Sequence, residues 1–212
     1  MKMKAALFDL DGTLMDSMWV WERLMIDFLE KHQLPTVPEI MENVSHMSLV
    51  QSSVYVQQEY AMAMTPEEIY TEWMDMVYHA YAEEVSLKPG AKEYLLQLKA
   101  QGTRIGLVTA CDRALCTACL QNNGIYELFD TITYVDEVGK GKNAPDIYIE
   151  CLRRLNCFVE DAVLFEDILI GLRTAKKIGL RVIAVEEKDQ DEMEALKQEA
   201  DLYIKDFYEL TK

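Results

Sequence analysis

Long apolar runs are missing from this 212-residue chain. No stretch approaches the roughly 18 uninterrupted apolar residues of a membrane span, and the amino-terminal "MKMKAALFDL" is too short and too acidic for a signal-peptide core. A cytoplasmic protein that does not engage membranes is expected. Basic residues are also scarce: 21 Lys and Arg face 37 Asp and Glu, a formal net charge of -16. That balance excludes nucleic acid and anionic lipid as partners, because both attract cations. Histidine occurs three times and cysteine five, an odd number with no second pair to complete a zinc site around Cys116 and Cys119 in "CTAC". These thiols are expected to be reduced and to pack as small hydrophobes on a helix. The "NVS" at Asn43 has no meaning as a glycosylation acceptor in such a compartment, and a monomer is expected.

Half of the residues are hydrophobic, enough for a substantial core. Short β-like runs cover residues 4–10, 104–109, 131–135, 162–166 and 181–185, and helical patterns separate them at 89–100, 146–155 and 171–178. Gly102 and Gly179 follow two of these helices as natural stops. Strands alternating with helices predict an α/β fold, a Rossmann-like parallel sheet covered on both faces. Between Met15 and Ser86 the alternation gives way to helical patterns only, with all three tryptophans and nine of the twelve methionines. The helix after Thr65 carries a capping box, since Glu68 stands three residues on and Pro66 suits the first turn. The organisation read from this is an α/β core of residues 1–14 and 87–212 with an inserted α-helical cap domain at 15–86. Hinges are expected near residues 14–17 and 86–90.

Ligands of an open parallel sheet sit beyond the carboxyl ends of its strands. The first strand closes in "LFDLDGTL", with Asp9 and Asp11 one residue apart; the others end in Thr109, in the "FED" of Glu166 and Asp167, and ahead of the loop that holds Lys142. Such acids repel unless a cation joins them, and magnesium takes carboxylates together with phosphate oxygens. A carboxylate there can attack phosphorus, and a second acid can serve the leaving group and then water as general acid and base. Lys142 and the Thr109 hydroxyl would hold phosphoryl oxygens, and Gly12 would let the backbone turn close to them.

The strings "DLDGTL", "LVT" ending at Thr109, "KNAPD" from Lys142 and "FEDILIGLRTAKKIG" follow one another in an order that resembles the haloacid dehalogenase (HAD) superfamily of phosphohydrolases. The resemblance implies that Asp9 is nucleophile and metal ligand. Asp11 would be the general acid and base, with its carbonyl on the metal, and Asp167 a ligand. Glu166 would be a further ligand or a support behind the ligands. It also implies a cap of the β-phosphoglucomutase-like kind, a magnesium cofactor and a small phosphorylated metabolite as substrate. The acid at position 11 favours phosphoryl transfer over dehalogenation. Ile168 and Asn143 depart from the pattern, where a small polar residue and a proline are usual, which bears on rate and substrate. Only Arg23 and Lys31 are basic in residues 15–86, against thirteen acids, so a bisphosphate-handling sugar phosphomutase is the alternative and not the leading reading. His46 in "VSHMS" is more simply a surface residue than a substrate contact.

Overall fold

A computed structural model of the chain describes residues 3–36, 40, 43–44, 47–187 and 192–211. His46 lies outside the described residues. The chain divides into two compact units, one formed by Met1–Ser17 with Val85–Lys212 and the other by Met18–Glu84.

The larger unit is built on six parallel strands: β1 (Ala5–Phe8), β4 (Arg104–Thr109), β5 (Thr131–Tyr134), β6 (Ala162–Glu166), β7 (Arg181–Val185) and β8 (Leu202–Ile204). Their spatial order is β5-β4-β1-β6-β7-β8, so the direction of winding reverses at β1. Chain order along the sheet is that of a doubly wound α/β fold, as the alternating pattern predicts, and it puts the switch point where a ligand crevice forms. Strand β8 and a two-residue antiparallel ribbon, β2 (Met15–Asp16) with β3 (Ser86–Leu87), were not legible as β runs. Both are too short for two-residue periodicity to show.

Alternate residues of the central strands serve two different layers. On one face Leu7, Val108, Leu164 and Val182 pack against Ile147, Tyr148, Cys151 and Leu152 of the helix Asp146–Arg154 and against Leu172 and Ala175 of the helix Leu169–Lys177. Gly106 permits the first helix to come close, since a β-carbon there would sit 2.5 Å from Cys151 Sγ. On the other face Phe8 and Phe165 stack with centroids 4.4 Å apart, and Tyr94 and Phe207 close around them. Cys116 and Cys119 are buried and unpaired on the helix Arg113–Asn122, and burial raises both thiols to about 12.

The helical unit contains the helices Met18–Lys31, Leu49–Glu59 and Pro66–Glu83. The capping box at Thr65 and Glu68 forms as the sequence predicts, and a second one forms at Ser48 and Gln51. Leu24, Phe28, Ile69, Trp73 and Val77 are buried in its core, with Phe28 edge-on to Trp73 at 5.5 Å.

Replacing Phe165 by Ala removes a fully buried ring from the centre of the aromatic layer. Urea denaturation is expected to show a loss of about 3–5 kcal/mol, the midpoint falling with little change in slope.

Candidate active site

Three neighbouring strands deliver the site. Asp9 follows β1 directly, with its backbone N–H bonded to the Phe165 carbonyl at 3.0 Å; Thr109 ends β4, and Glu166 ends β6 with Asp167 next. Register between β1 and its two neighbours is parallel and unbroken, which brings these ends to one rim. Asp9, Thr109, Glu166 and Asp167 are all buried.

Lys142 reaches them from the loop before the helix Asp146–Arg154. Its neighbours Gly141 and Asn143 are exposed while its own side chain is buried. The ammonium contacts Asp9 Oδ1 and donates to Glu166 Oε2 at 2.9 Å. Glu166 Oε1 accepts the N–H groups of Asp167 and Ile168 at 3.1 and 3.3 Å, so this carboxylate is anchored by both the lysine and its own backbone. The departure at Ile168 leaves that bond intact, because the main chain makes it.

Asp11 stands in the turn after Asp9. Gly12, at φ +76°, makes that turn possible, and a β-carbon on it would collide with Asp167 Oδ2. The turn is closed by Gly12 N–H to the Met15 carbonyl at 3.0 Å, and Ser17 Oγ donates to Asp11 Oδ1 at 2.7 Å. Thr13, also buried, donates to Asp167 Oδ1 at 2.7 Å. The Thr109 hydroxyl accepts the Cys111 N–H at 2.9 Å, which leaves its own proton free to donate. Thr13, Ser17, Tyr148 and Gly171 take part in this architecture without having been singled out in the sequence. Thr13 alone carried a signal, as the hydroxyl of the D-x-D-G-T string.

Electrostatically the site is over-supplied with negative charge. Oxygens of Asp9, Glu166 and Asp167 lie within 4.8 Å of one another, with one lysine among three buried acids. Burial, then the Asp9 and Glu166 charges, hold the Asp167 carboxyl well above the usual range. Burial likewise pushes Glu166 up to about 7, although Lys142 pulls the other way. Burial would lower Lys142, but Asp9 and Glu166 outweigh it and raise the ammonium well above its ordinary value. Hard oxygen donors with surplus negative charge at a strand-end crevice fit a magnesium ion.

The family model for haloacid dehalogenase-like hydrolases matches residues 6–185. The chain belongs to that family of enzymes, the hydrolases, and its fold is that of their β-phosphoglucomutase-like branch. It is 27% identical to validoxylamine A 7'-phosphate phosphatase of Streptomyces hygroscopicus subsp. limoneus, covering 98% of this chain and 95% of the relative. With hexitol phosphatase B of Escherichia coli the identity is 25%, over 85% and 82% of the two chains. The match to the Arabidopsis thaliana bifunctional riboflavin kinase/FMN phosphatase takes in only 47% of that protein's length, and that to CbbY of Cereibacter sphaeroides 45%. Among solved structures, one assigned as a β-phosphoglucomutase from Thermotoga maritima superposes with a TM-score of 0.85 at 24% identity, covering 96% and 94%. CbbY from Rhodobacter sphaeroides bound to phosphate gives 0.74 at 26%, covering 98% and 96%.

Gly171 provides a direct check on the anchored carboxylate, because a β-carbon there would lie 2.6 Å from Glu166 Oε2 and 3.0 Å from the Tyr148 hydroxyl. Helix propensity alone would make Gly171→Ala stabilising by about 1 kcal/mol. The displaced Glu166 is expected to reverse the sign, with a net loss of about 1–3 kcal/mol in a thermal melt.

Proposed function

We propose that the protein is a magnesium-dependent phosphomonoesterase that acts on a small phosphorylated carbohydrate or polyol through an aspartyl-phosphate on Asp9. The observation that carries this reading is Asp9 itself: a buried carboxylate at the switch point, beside Asp167 and in contact with the Lys142 ammonium. The named phosphatase relatives support the class of substrate.

In the first step an Asp9 oxygen attacks phosphorus as the ester P–O bond breaks, and Asp11 protonates the departing alkoxide. In the second, Asp11 takes a proton from water, whose oxygen attacks the same phosphorus and releases Asp9 and inorganic phosphate. Lys142 and the Thr109 hydroxyl hold phosphoryl oxygens, so their charge meets a preorganised cation and donor. Asp9, Asp167 and the Asp11 carbonyl would hold magnesium, with Glu166 beside them. When bound, the ion offsets the charge of the acids and of the phosphoryl oxygens. Ser17 keeps the Asp11 carboxylate oriented, and Thr13 does the same for Asp167.

Charge in the helical unit favours hydrolysis over the sugar phosphomutase alternative. Arg23 is paired with Asp27 at 3.1 Å and Lys31 with Glu72 at 2.7 Å, so both of its basic residues of this type already have acid partners. A second phosphate would have to compete with Asp27 and Glu72 for these two cations. A cytoplasmic monomer completes the proposal; the five unpaired cysteines fit a reducing compartment.

Phosphate release from a panel of monophosphates, with and without magnesium, tests the reading. Wild type is expected to require the ion, and Asp9→Asn to lose at least about a thousandfold in kcat. Magnesium-independent release, or turnover that survives the substitution, would overturn it.

Metal binding should also follow pH. The folded-state values of Glu166 and Asp167 lie above their ordinary ones, so the metal-free fold is favoured by their protonation at low pH and loses that contribution as pH rises toward 7. Magnesium needs the ionised carboxylates. The rise in melting temperature on adding magnesium is therefore expected to be larger at pH 8 than at pH 5, checked by differential scanning calorimetry of wild type and Asp167→Asn.

A further inference from the structure

Among the described residues, four buried side-chain atoms have no hydrogen-bond partner: Trp73 Nε1, Thr133 Oγ1, Thr174 Oγ1 and the Tyr148 hydroxyl. Tyr148 is the one that the structure places beside the candidate site: its hydroxyl and Glu166 Oε2 lie 3.0 and 2.6 Å from where a β-carbon of Gly171 would be. It is fully buried on the helix Asp146–Arg154, and burial followed by the Glu166 charge raises its hydroxyl above the ordinary value. An orphaned buried donor is a standing cost that a phenylalanine of the same shape would avoid.

Capacity for this donor exists nearby. Glu166 Oε1 accepts two backbone N–H groups, whereas Oε2 accepts the Lys142 ammonium. A carboxylate offers about four lone-pair sites, so Oε2 has room for one more donor. Gly171 leaves the space between Oε2 and the Tyr148 hydroxyl clear, since both lie within 3.0 Å of where its β-carbon would be.

The ammonium of Lys142 is shared between Asp9 and Glu166 as long as no phosphoryl group is bound. On the proposed reading of the site, phosphoryl oxygens compete for that ammonium while the Asp9 oxygen bonds to phosphorus. Glu166 then loses part of its compensation in a medium where loss is expensive. We infer that Tyr148 is a positioning residue: when a phosphoryl group draws Lys142 away, Glu166 Oε2 and the Tyr148 hydroxyl close the gap that separates them in this structure, and the O–H then donates to that carboxylate and holds it through the reacting state. No bond to substrate is involved, so its effect reaches the reaction through Glu166 and Lys142.

The inference rests on the phosphoryl-transfer reading, and Tyr148→Phe tests it with one measurement that needs no turnover. Orthovanadate affinity is measured from the shift in melting temperature, next to the ligand-free melt and steady-state kinetics. The ligand-free variant is expected to melt at or above the wild-type temperature, because an unpaired buried hydroxyl is gone. Vanadate affinity and kcat are each expected to fall about tenfold, with KM changed by less than about twofold. In a Glu166→Gln background the same substitution should add little further loss, because the two groups act as a unit. A lower ligand-free melting temperature with unchanged vanadate affinity would overturn the inference and make the hydroxyl structural. Unchanged kcat with wild-type vanadate binding would overturn it as well, leaving the phosphatase reading intact. If wild type neither bound vanadate nor released phosphate from any monoester, the phosphoryl-transfer reading would fail and the inference with it.

Discussion

One buried ammonium makes the rest of the site tenable. Asp9 and Glu166 stand side by side because β1 and β6 are hydrogen-bonded neighbours in register, and the residue after β1 and the last residue of β6 are both acids shielded from water. Burial of that kind is tolerated only when charge is paired and hydrogen-bonded. Lys142 satisfies both carboxylates, while the Asp167 and Ile168 amides satisfy the far oxygen of Glu166. A surplus of negative charge remains, and with burial it holds the Asp167 carboxyl above its usual range; on the proposed reading a divalent cation would offset that surplus.

Rigidity behind this array comes from the two unlike layers of the sheet. The stacked pair Phe8 and Phe165 precedes Asp9 and Glu166 by one residue each, so the aromatic layer fixes the strand ends that present the acids. On the opposite face the helix Asp146–Arg154 packs its apolar side on β4 and begins just after Lys142, tying the lysine loop to the same core. Asp11 is supported differently. It sits on a turn whose shape depends on Gly12, and its carboxylate is oriented by Ser17, the last residue before the helical unit begins. On the proposed reading the attacking group would thus be held by strands and the proton-transfer group by a turn, which suits a residue that must exchange protons with water.

The helical unit contributes a different constraint, on charge. Its acids outnumber its basic residues, and Glu72 alone draws in both Lys31 and His32. Cations consumed by local pairing cannot recognise a distant phosphate. On the proposed reading, selection against a doubly phosphorylated ligand would rest on composition and pairing together.

Much of this was open to reading in the chain itself. The α/β class, the strand ends at Asp9, Thr109 and Glu166, the lysine loop and the Thr65 cap are local: each depends on periodicity or on residues within a few positions, and the sequence determined them. The spatial order of the strands, with β1 at the switch point, required tertiary structure, because pairing joins residues as distant as Ala5 and Ala162. So did the grip of Thr13 on Asp167 across 154 residues, the room that Gly171 leaves beside Glu166, and the stranded hydroxyl of Tyr148. Threonine, glycine and tyrosine occur throughout the chain in ordinary roles, and only proximity across the fold gives these particular ones a charge to answer.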